Sequence, residues 1–270
     1  MTHQLADLLD IARAAVQLGT RVLNTAAVQH VTAKGPKDLV TDLDLRIEQQ
    51  ILAYLTERTP DIGRYSEEAG GDPARPHQRW VLDPIDGTVN LVHALPLYGI
   101  SLALTDGVRP LLGVISLPTL HRTYWGGINL GAWCNNHPIA PSTATNLADA
   151  MIAMGDYGTG DDADERNHVA VALHAALALA AGKVRMLGSA AVDLVFVADG
   201  TLDASITLGN RDWDMAAGVA IARAAGANVT DTDGTPHNLS SRTTIVTAPG
   251  LTVAVLDTLR HATTGTTYYP

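Results

Sequence analysis

Apolar residues at the start of the chain recur at every third or fourth position, which places them on one face of an α-helix. One such pattern covers residues 5–23 and predicts an amphipathic helix with a single buried face. A second helical pattern covers residues 45–55, and Thr41 and Asp44 ahead of it have the spacing of a capping box. We expect the first helix to be part of the scaffold.

Short apolar runs of the kind that form β-strands dominate the middle of the chain. The segment IGRYSEEAGG predicts a strand followed by a polar loop, and the lead of WVLDPIDGTVN predicts another strand. Four further runs are separated by turn-forming pairs such as Asp106-Gly107, and they are YGISLALT, PLLGVISLP, RTYWGGI and GAWCNNHPI. Strands joined by such short connections predict an antiparallel meander.

Strands and helices alternate beyond Pro141. Strand-like segments occur near Met151, at KVRML and at LDASIT, and helical patterns cover about residues 164–182, 190–200 and 214–226. This alternation is typical of layered α/β folds. We therefore expect an N-terminal α+β lobe at residues 1–140 and a C-terminal α/β lobe at residues 141–270. The cleft where two lobes meet is a frequent place for a ligand.

The composition is that of an ordinary globular protein and argues against several classes of function. The chain has 270 residues, 46% of them hydrophobic, and can bury a core without disulfides. A net charge of −10 without a stripe of lysine or arginine argues against nucleic acid as a partner. No apolar run is long enough to predict a membrane span. The single cysteine, Cys134, excludes an intrachain disulfide and favours a cytoplasmic location.

The segment WVLDPIDGTVN at residues 80–90 is the most informative one. Its strand-like lead ends in Asp83 and Asp86, and Gly87 and Thr88 follow where a helix can begin. Paired carboxylates suit a hard cation, and the free N–H groups of a helix start attract an anion such as phosphate. Asp, Pro and Gly also build ordinary surface turns, but six specified residues in one short segment favour function.

Other acidic residues stand at the ends of predicted elements. They are Asp44, Glu67 in YSEE, and Asp214 in WDMAAG. Each has a plainer interpretation, because the two aspartates could cap helices and Glu67 could be a solvated loop residue. If the acids share one cleft, their repulsion requires protons or cations to neutralise them, and a divalent metal is the simplest answer. Ligation by oxygen alone indicates Mg²⁺ or Mn²⁺ rather than zinc.

Four segments resemble, in their order and spacing, the motifs of the inositol monophosphatase family, a group of Mg²⁺-dependent, lithium-sensitive phosphatases. These segments are DLVTDLD, YSEE, WVLDPIDGTVN and WDMAAG. The resemblance covers about residues 5–259. It implies the layered α/β/α/β/α sandwich of the α/β (α+β) class that is shared with fructose-1,6-bisphosphatase. It also implies hydrolysis of a small phosphorylated substrate and, commonly, a homodimer.

The resemblance assigns roles to residues at matching positions. Asp44, Thr88 and Glu67 would be catalytic, with Thr88 and Asp44 as the couple that activates water. Glu67, Asp83 and the carbonyl of Ile85 would hold one metal ion, and Asp83, Asp86 and Asp214 the other. The substrate would contact Ile85, Asp86, Gly87, Thr88, Gly188, Ser189, Ala190, Thr207, Arg211 and Asp214.

The substrate is less well specified than the reaction. Animal members of the family bind inositol hydroxyls with a Glu seven residues before the WD aspartate, and Thr207 occupies that position here. Arg211 or Ser189 would have to compensate for the loss. We rank myo-inositol 1-phosphate first. Histidinol phosphate, a 3′-phosphoadenosine nucleotide and fructose 1,6-bisphosphate are the enzymatic alternatives, and a non-catalytic regulatory relative is the remaining one.

Overall fold

Two β-sheets and the helices that cover them account for most of the structure. The computed structural model describes residues 4–35, 38–71, 78–159 and 163–266. The helices are α1 (Leu5–Thr25), α2 (Asp42–Arg58), α3 (Thr88–Val92), α4 (Ala163–Ala180), α5 (Ala190–Ala198), α6 (Asp212–Ala225) and α7 (Thr252–Thr263). The strands are β1 (Val31–Gly35), β2 (Asp38–Thr41), β3 (Gly63–Ser66), β4 (Arg79–Asp86), β5 (Gly99–Thr105), β6 (Pro110–Leu117), β7 (Arg122–Gly127), β8 (Gly131–Cys134), β9 (His137–Pro138), β10 (Met151–Met154), β11 (Lys183–Arg185), β12 (Ala204–Thr207), β13 (Asn228–Thr230) and β14 (Thr244–Thr247).

The first sheet has the strand order β3-β4-β5-β6-β7-β8-β9. Strands β4 to β9 pair antiparallel with their neighbours, which confirms the predicted meander, and β3 joins β4 in parallel. Every residue of β4, β5 and β6 is buried. Apart from the charged residues of β4, these strands are mostly apolar rather than alternating, because helices cover both faces of the sheet.

The second sheet has the strand order β11-β10-β12-β14-β13. Its first three strands are parallel, as expected where helices connect the strands, whereas β12, β14 and β13 pair antiparallel. The strands of this sheet therefore all come from the region beyond Pro141, where the sequence predicted alternating strands and helices.

The helices form three layers around the two sheets. Helices α1 and α2 pack on one face of the first sheet through residues such as Ile47. Helices α5 and α6 lie between the sheets, in a core that joins Ile115 of the first sheet to Val246 of the second. Helices α4 and α7 cover the outer face of the second sheet, with Leu173 buried there. This order of layers confirms the predicted α/β/α/β/α sandwich.

Several element boundaries differ from the sequence prediction. The hairpin of β1 and β2 precedes α2, where no strand was predicted. The run GAWCNNHPI forms two strands, because Asn135 and Asn136 both adopt positive φ and turn the chain between them. Helix α6 begins at Asp212, and its N-cap is Arg211, so Asp214 lies within the first turn and is not the cap. The predicted capping box of Thr41 and Asp44 is present.

The position of α6 depends on close contact with the first sheet. A Cβ atom added to Gly113 of β6 would lie 2.6 Å from the Cα of Ala217, so only glycine lets the helix approach this closely. At the start of α6, the buried Arg79 forms an ion pair with Asp212 at 2.5 Å and lies over the ring of Tyr65. These contacts fix the helix that carries Asp214.

In the part of the chain that the structure describes, no helix is long and apolar enough to cross a membrane. The division into lobes at residue 140 remains a proposal. Helices α5 and α6 belong to the second half of the sequence, yet they pack on the sheet formed by the first half.

Replacing Gly113 with alanine should destabilise the fold, because the new methyl group would collide with the backbone of α6. We expect a loss of about 3 kcal/mol in the free energy of unfolding, measured by urea denaturation. Gly63→Ala in the same sheet is the matched control, since its added Cβ would meet its nearest neighbour at an ordinary 3.4 Å. Equal stability of the two variants would contradict the packing argument.

Candidate functional site

Three carboxylates meet where β4 ends and α6 begins. Asp83, Asp86 and Asp214 each offer one oxygen, and these oxygens all lie within 4.8 Å of one another. In a regular strand the side chains of residues 83 and 86 would point to opposite faces of the sheet. The pairing of β4 with β5 shifts register between Asp83 and Asp86. Such an irregularity re-aims a side chain, and it accounts for both carboxylates facing the same side.

Burial and mutual repulsion oppose the ionisation of these carboxylates. Burial raises the pKa of Asp83 well above its usual value, and the charges of Glu67 and Asp86 raise it further. Burial also raises the pKa of Asp214, with Asp86 and Glu67 adding to the effect. A cation would remove this conflict, and a donor set of oxygens alone suits Mg²⁺ or Mn²⁺. The residues present therefore fit a divalent metal.

Asp86 connects the first sheet to α5. Its Oδ2 accepts a hydrogen bond from the backbone N–H of Ala191 at 2.7 Å, and the Ser189 hydroxyl and the Ala190 N–H also donate to it. Donors at a helix N-terminus stabilise an ionised carboxylate. Burial outweighs them and raises the pKa of Asp86 to about 6. The segment LGSAA is thereby held against the carboxylates.

Asp44 is fully buried behind Thr88. Its Oδ2 accepts from the backbone N–H of Thr41 at 2.8 Å and from the Thr41 hydroxyl at 2.5 Å. Its Oδ1 lies 3.2 Å from Oγ1 of Thr88, which also lies 2.9 Å from the carbonyl oxygen of Ile85. Burial raises the pKa of Asp44 despite these hydrogen bonds. Asp44 therefore closes the capping box with one oxygen and reaches Thr88 with the other.

Gly87 and Asn90 explain the end of the DPIDGTVN motif. Gly87 has a φ of 91°, and an added Cβ would lie 3.0 Å from the carbonyl oxygen of Leu97. Asn90 donates through Nδ2 to the carbonyl oxygens of Leu97 and Leu187, each at 2.7 Å. A Cβ atom added to Gly188 would lie 3.0 Å from the side-chain amide of Asn90. The motif thus clamps the segment that leads into α5.

Glu67 follows β3 and lies beside the three carboxylates. Its side chain is within hydrogen-bonding reach of Asp83, and its Oε1 accepts from Nζ of Lys34 at 2.7 Å. Lys34 also donates to Oε1 of Glu68 at 2.8 Å. Burial disfavours the ammonium, but the two ion pairs outweigh it and raise the pKa of Lys34. The hairpin of β1 and β2 therefore brings a positive charge to the acidic cluster.

A cavity of about 300 Å³ opens beside the carboxylates, and we call it the acidic cavity. Asp44 lies behind its wall, and Arg211 lies in a neighbouring cavity. The structure brings the other residues predicted for the site together in the lining of the acidic cavity: Glu67, Asp83, Ile85, Asp86, Gly87, Thr88, Gly188, Ser189, Ala190, Thr207 and Asp214.

Two acids in the same lining were missed by the sequence analysis. Asp156 lies two residues after the end of β10, and Asp193 lies one turn into α5. Burial raises the pKa of Asp193 well above its usual value, and the negative charges of Asp86 and Asp156 raise it further. Oδ1 of Asp193 has no hydrogen-bond partner among the described residues. An acid inside the apolar helix AAVDLVFVA was a signal, because an apolar core rarely accepts an unpaired carboxylate.

Comparisons with known proteins agree with the family resemblance. The model of the inositol monophosphatase family matches residues 3–264. The chain is 35% identical over 255 residues to inositol-1-monophosphatase ImpA of Mycolicibacterium smegmatis, covering 92% of both proteins. It is 31% identical over 222 residues to a protein of Aquifex aeolicus named fructose-1,6-bisphosphatase/inositol-1-monophosphatase, covering 81% of this chain and 83% of that protein.

A solved structure extends this agreement to the fold. The inositol monophosphatase from Anabaena superposes with a TM-score of 0.84 at 28% identity, covering 95% of this chain and 96% of that chain. The family match spans almost the whole chain, so the resemblance inferred from the motifs is confirmed. The chain belongs to the inositol monophosphatase family and is a phosphatase that hydrolyses phosphoric monoesters.

Proposed function

We propose that the acidic cavity hydrolyses a small phosphomonoester in a Mg²⁺-dependent reaction, with myo-inositol 1-phosphate as the substrate. The observation that carries this proposal is the approach of Asp83, Asp86 and Asp214 to within 4.8 Å beside the Thr88–Asp44 pair. The name of the Mycolicibacterium smegmatis relative, an inositol-1-monophosphatase, supports the choice of substrate.

Two sets of oxygens would hold the metal ions. Glu67, Asp83 and the carbonyl of Ile85 form the first set, and Asp83, Asp86 and Asp214 form the second. When bound, divalent ions lower the pKa of water and neutralise charge on the phosphate and the departing alkoxide. We propose Mg²⁺, with Mn²⁺ as the alternative, because carboxylate and carbonyl oxygens suit both ions.

Thr88 and Asp44 would accept the proton of the attacking water. If the Thr88 hydroxyl donates to Oδ1 of Asp44, which lies 3.2 Å away, a lone pair of its oxygen remains for the water. Two hydrogen bonds from Thr41 hold the Asp44 carboxylate in place. The couple is therefore oriented before the substrate binds, which limits reorganisation during the reaction.

The phosphate and the alcohol would use different walls of the acidic cavity. Backbone N–H groups at Gly87 and Thr88 would bind the phosphate, because the first N–H groups of a helix have no acceptor within it. The alcohol part of the ester would contact Gly188, Ser189, Ala190 and Thr207. It would leave as an alkoxide that takes up a proton and becomes the free alcohol.

Further properties belong to the same proposal. The resemblance to the family supports a homodimer and sensitivity to lithium, and the single Cys134 suits a reducing, cytoplasmic location. Fructose 1,6-bisphosphate remains the main alternative substrate, since the Aquifex aeolicus relative is named for it as well.

Asp83→Asn should abolish Mg²⁺-dependent phosphate release while the protein stays folded. Asparagine keeps the shape of the side chain but removes the charge that both metal sets use, so kcat should fall by at least about a thousandfold. Phosphate release from myo-inositol 1-phosphate and the thermal midpoint would be measured together. Asp10→Asn, at an exposed position on α1, is the control with the same chemical change. Unchanged turnover in Asp83→Asn would refute the assigned site.

Stabilisation by Mg²⁺ should grow as the pH rises. The pKa of Asp86 is about 6 in the folded protein, above that of an ordinary aspartate, so without metal this group makes the fold less stable as the pH rises towards 6. Metal binding needs the ionised form. Mg²⁺ should therefore raise Tm by more at pH 7.5 than at pH 5.5, measured by scanning calorimetry. A larger increase at pH 5.5 would contradict this reasoning.

Among candidate esters, myo-inositol 1-phosphate should have a higher kcat/KM than histidinol phosphate or a 3′-phosphoadenosine nucleotide. The described lining of the acidic cavity has no aromatic ring on which a base could stack, whereas Ser189, Thr207 and backbone groups can hydrogen-bond to hydroxyls. Phosphate release at a fixed Mg²⁺ concentration would be compared across the panel. A clear preference for histidinol phosphate would overturn the choice of substrate.

A further inference from the structure

The loop after β3, which carries Glu67, is held by a single carboxylate oxygen of α2. Oε1 of Glu48 accepts from the hydroxyl of Ser66 at 2.5 Å. The same oxygen accepts from the backbone N–H groups of Ala69 at 2.9 Å and Glu68 at 3.1 Å. The three donors lie on both sides of Glu67 in the sequence, so Glu48 restrains the backbone from which the Glu67 side chain extends.

Glu48 is a buried carboxylate that depends on these donors. Only 6% of its surface is exposed, and Ser66 is fully buried. Burying a carboxylate is unfavourable unless hydrogen bonds stabilise its charge. In the part of the chain that the structure describes, the hydrogen bonds to the Glu48 side chain all come from residues 66–69. The loop and the carboxylate therefore stabilise each other.

Glu67 needs such a restraint, because the carboxylates around it repel it. Its negative charge lies close enough to those of Asp83 and Asp214 to disfavour their ionisation. The backbone opposes a movement of the loop away from them. The N–H of Glu67 donates to the carbonyl oxygen of Leu82 at 3.1 Å, and the loop is closed by two hydrogen bonds of 3.0 Å between Ser66 and residue 70.

Helix α2 connects this loop to the Thr88–Asp44 pair. Asp44 and Glu48 are four residues apart and both buried, so their side chains lie on one face of the helix. Oδ1 of Asp44 lies 3.2 Å from Oγ1 of Thr88, and Glu48 holds the loop of Glu67 one turn further along. A single helix therefore sets the position of Glu67 relative to the proposed water-activating pair.

We propose that Glu48 is a positioning residue for the first set of metal-binding oxygens, and that it acts by orienting Glu67. This inference rests on the proposed function of the acidic cavity. Glu48 is absent from the described lining of that cavity, so its effect is transmitted through the loop. Residues that orient a metal ligand without touching the ion commonly account for about 10- to 100-fold in metal affinity.

Calorimetric titration with Mg²⁺, without any ester, measures this role in the absence of turnover. Glu48→Ala should raise the Kd for Mg²⁺ by about 10- to 100-fold, because Glu67 is no longer held in place. Glu48→Gln keeps an acceptor oxygen and should bind Mg²⁺ at least about fivefold more tightly than Glu48→Ala. Equal Kd values in these two variants would attribute the loss to the missing negative charge and would overturn the proposal.

Ser66→Ala tests the same restraint without a change of charge, and it remains informative if Glu48→Ala does not fold. This variant removes one of the three donors to Glu48. The Kd for Mg²⁺ should rise by at least about threefold. An unchanged Kd in Ser66→Ala would contradict the proposal.

Thr59→Val is the matched control for a general loosening of α2. The buried hydroxyl of Thr59, at the other end of the helix, accepts from Nε1 of Trp80 at 2.9 Å. Its loss breaks a buried hydrogen bond between α2 and the first sheet, so Tm should fall while the Kd for Mg²⁺ stays unchanged. A rise in Kd as large as that in Glu48→Ala would assign the effect to helix stability alone.

A double variant shows whether Glu48 acts through Glu67. Adding Glu48→Ala to Glu67→Gln should leave the Kd for Mg²⁺ at the value of Glu67→Gln alone. A further large increase in the double variant would refute the proposed route.

The outcome for Glu48 is separable from that for the proposed function. If the Kd values change as expected but no phosphate is released from myo-inositol 1-phosphate, the role of Glu48 is supported and the proposed reaction fails. If phosphate is released and Glu48→Ala binds Mg²⁺ with an unchanged Kd, only the role of Glu48 is refuted. A protein that binds no Mg²⁺ would refute both.

Discussion

Repulsion among closely packed carboxylates is the constraint on which this structure depends. Asp83, Asp86 and Asp214 come from a strand and a helix that are far apart in sequence, and their packing forces their oxygens together. Such an arrangement opposes folding unless protons or cations neutralise it. Lys34 supplies part of the compensation through Glu67, and α5 supplies hydrogen-bond donors to Asp86. The fold therefore keeps these negative charges close together, and a bound metal ion would neutralise them.

Helix α6 is where packing and chemistry are joined. Its contact with Gly113 and its ion pair between Arg79 and Asp212 are structural, yet they determine where Asp214 points. Because α6 lies between the two sheets, it also links the strands of the first half of the chain to those of the second. A change in its position would alter the carboxylate cluster and the core at the same time.

Local motifs were the part of the site that the sequence could reveal. The segment DPIDGTVN is recognisable because Gly87 needs a left-handed backbone and Asn90 binds two carbonyls, so each residue type is fixed nearby. Asp156 was missed, since only the packing of the second sheet brings it to the acidic cavity. Strand β14, which is four residues long and fully buried, was not predicted either.

The register shift in β4 makes one short stretch of the chain intolerant of length change. Loops elsewhere on the surface can gain or lose residues at small energetic cost. Between Asp83 and Asp86, however, one inserted or deleted residue would rotate a carboxylate to the other face of the sheet, into an apolar core. Over evolution, insertions are therefore expected to accumulate outside this segment, and an alignment of functional relatives should be free of gaps there.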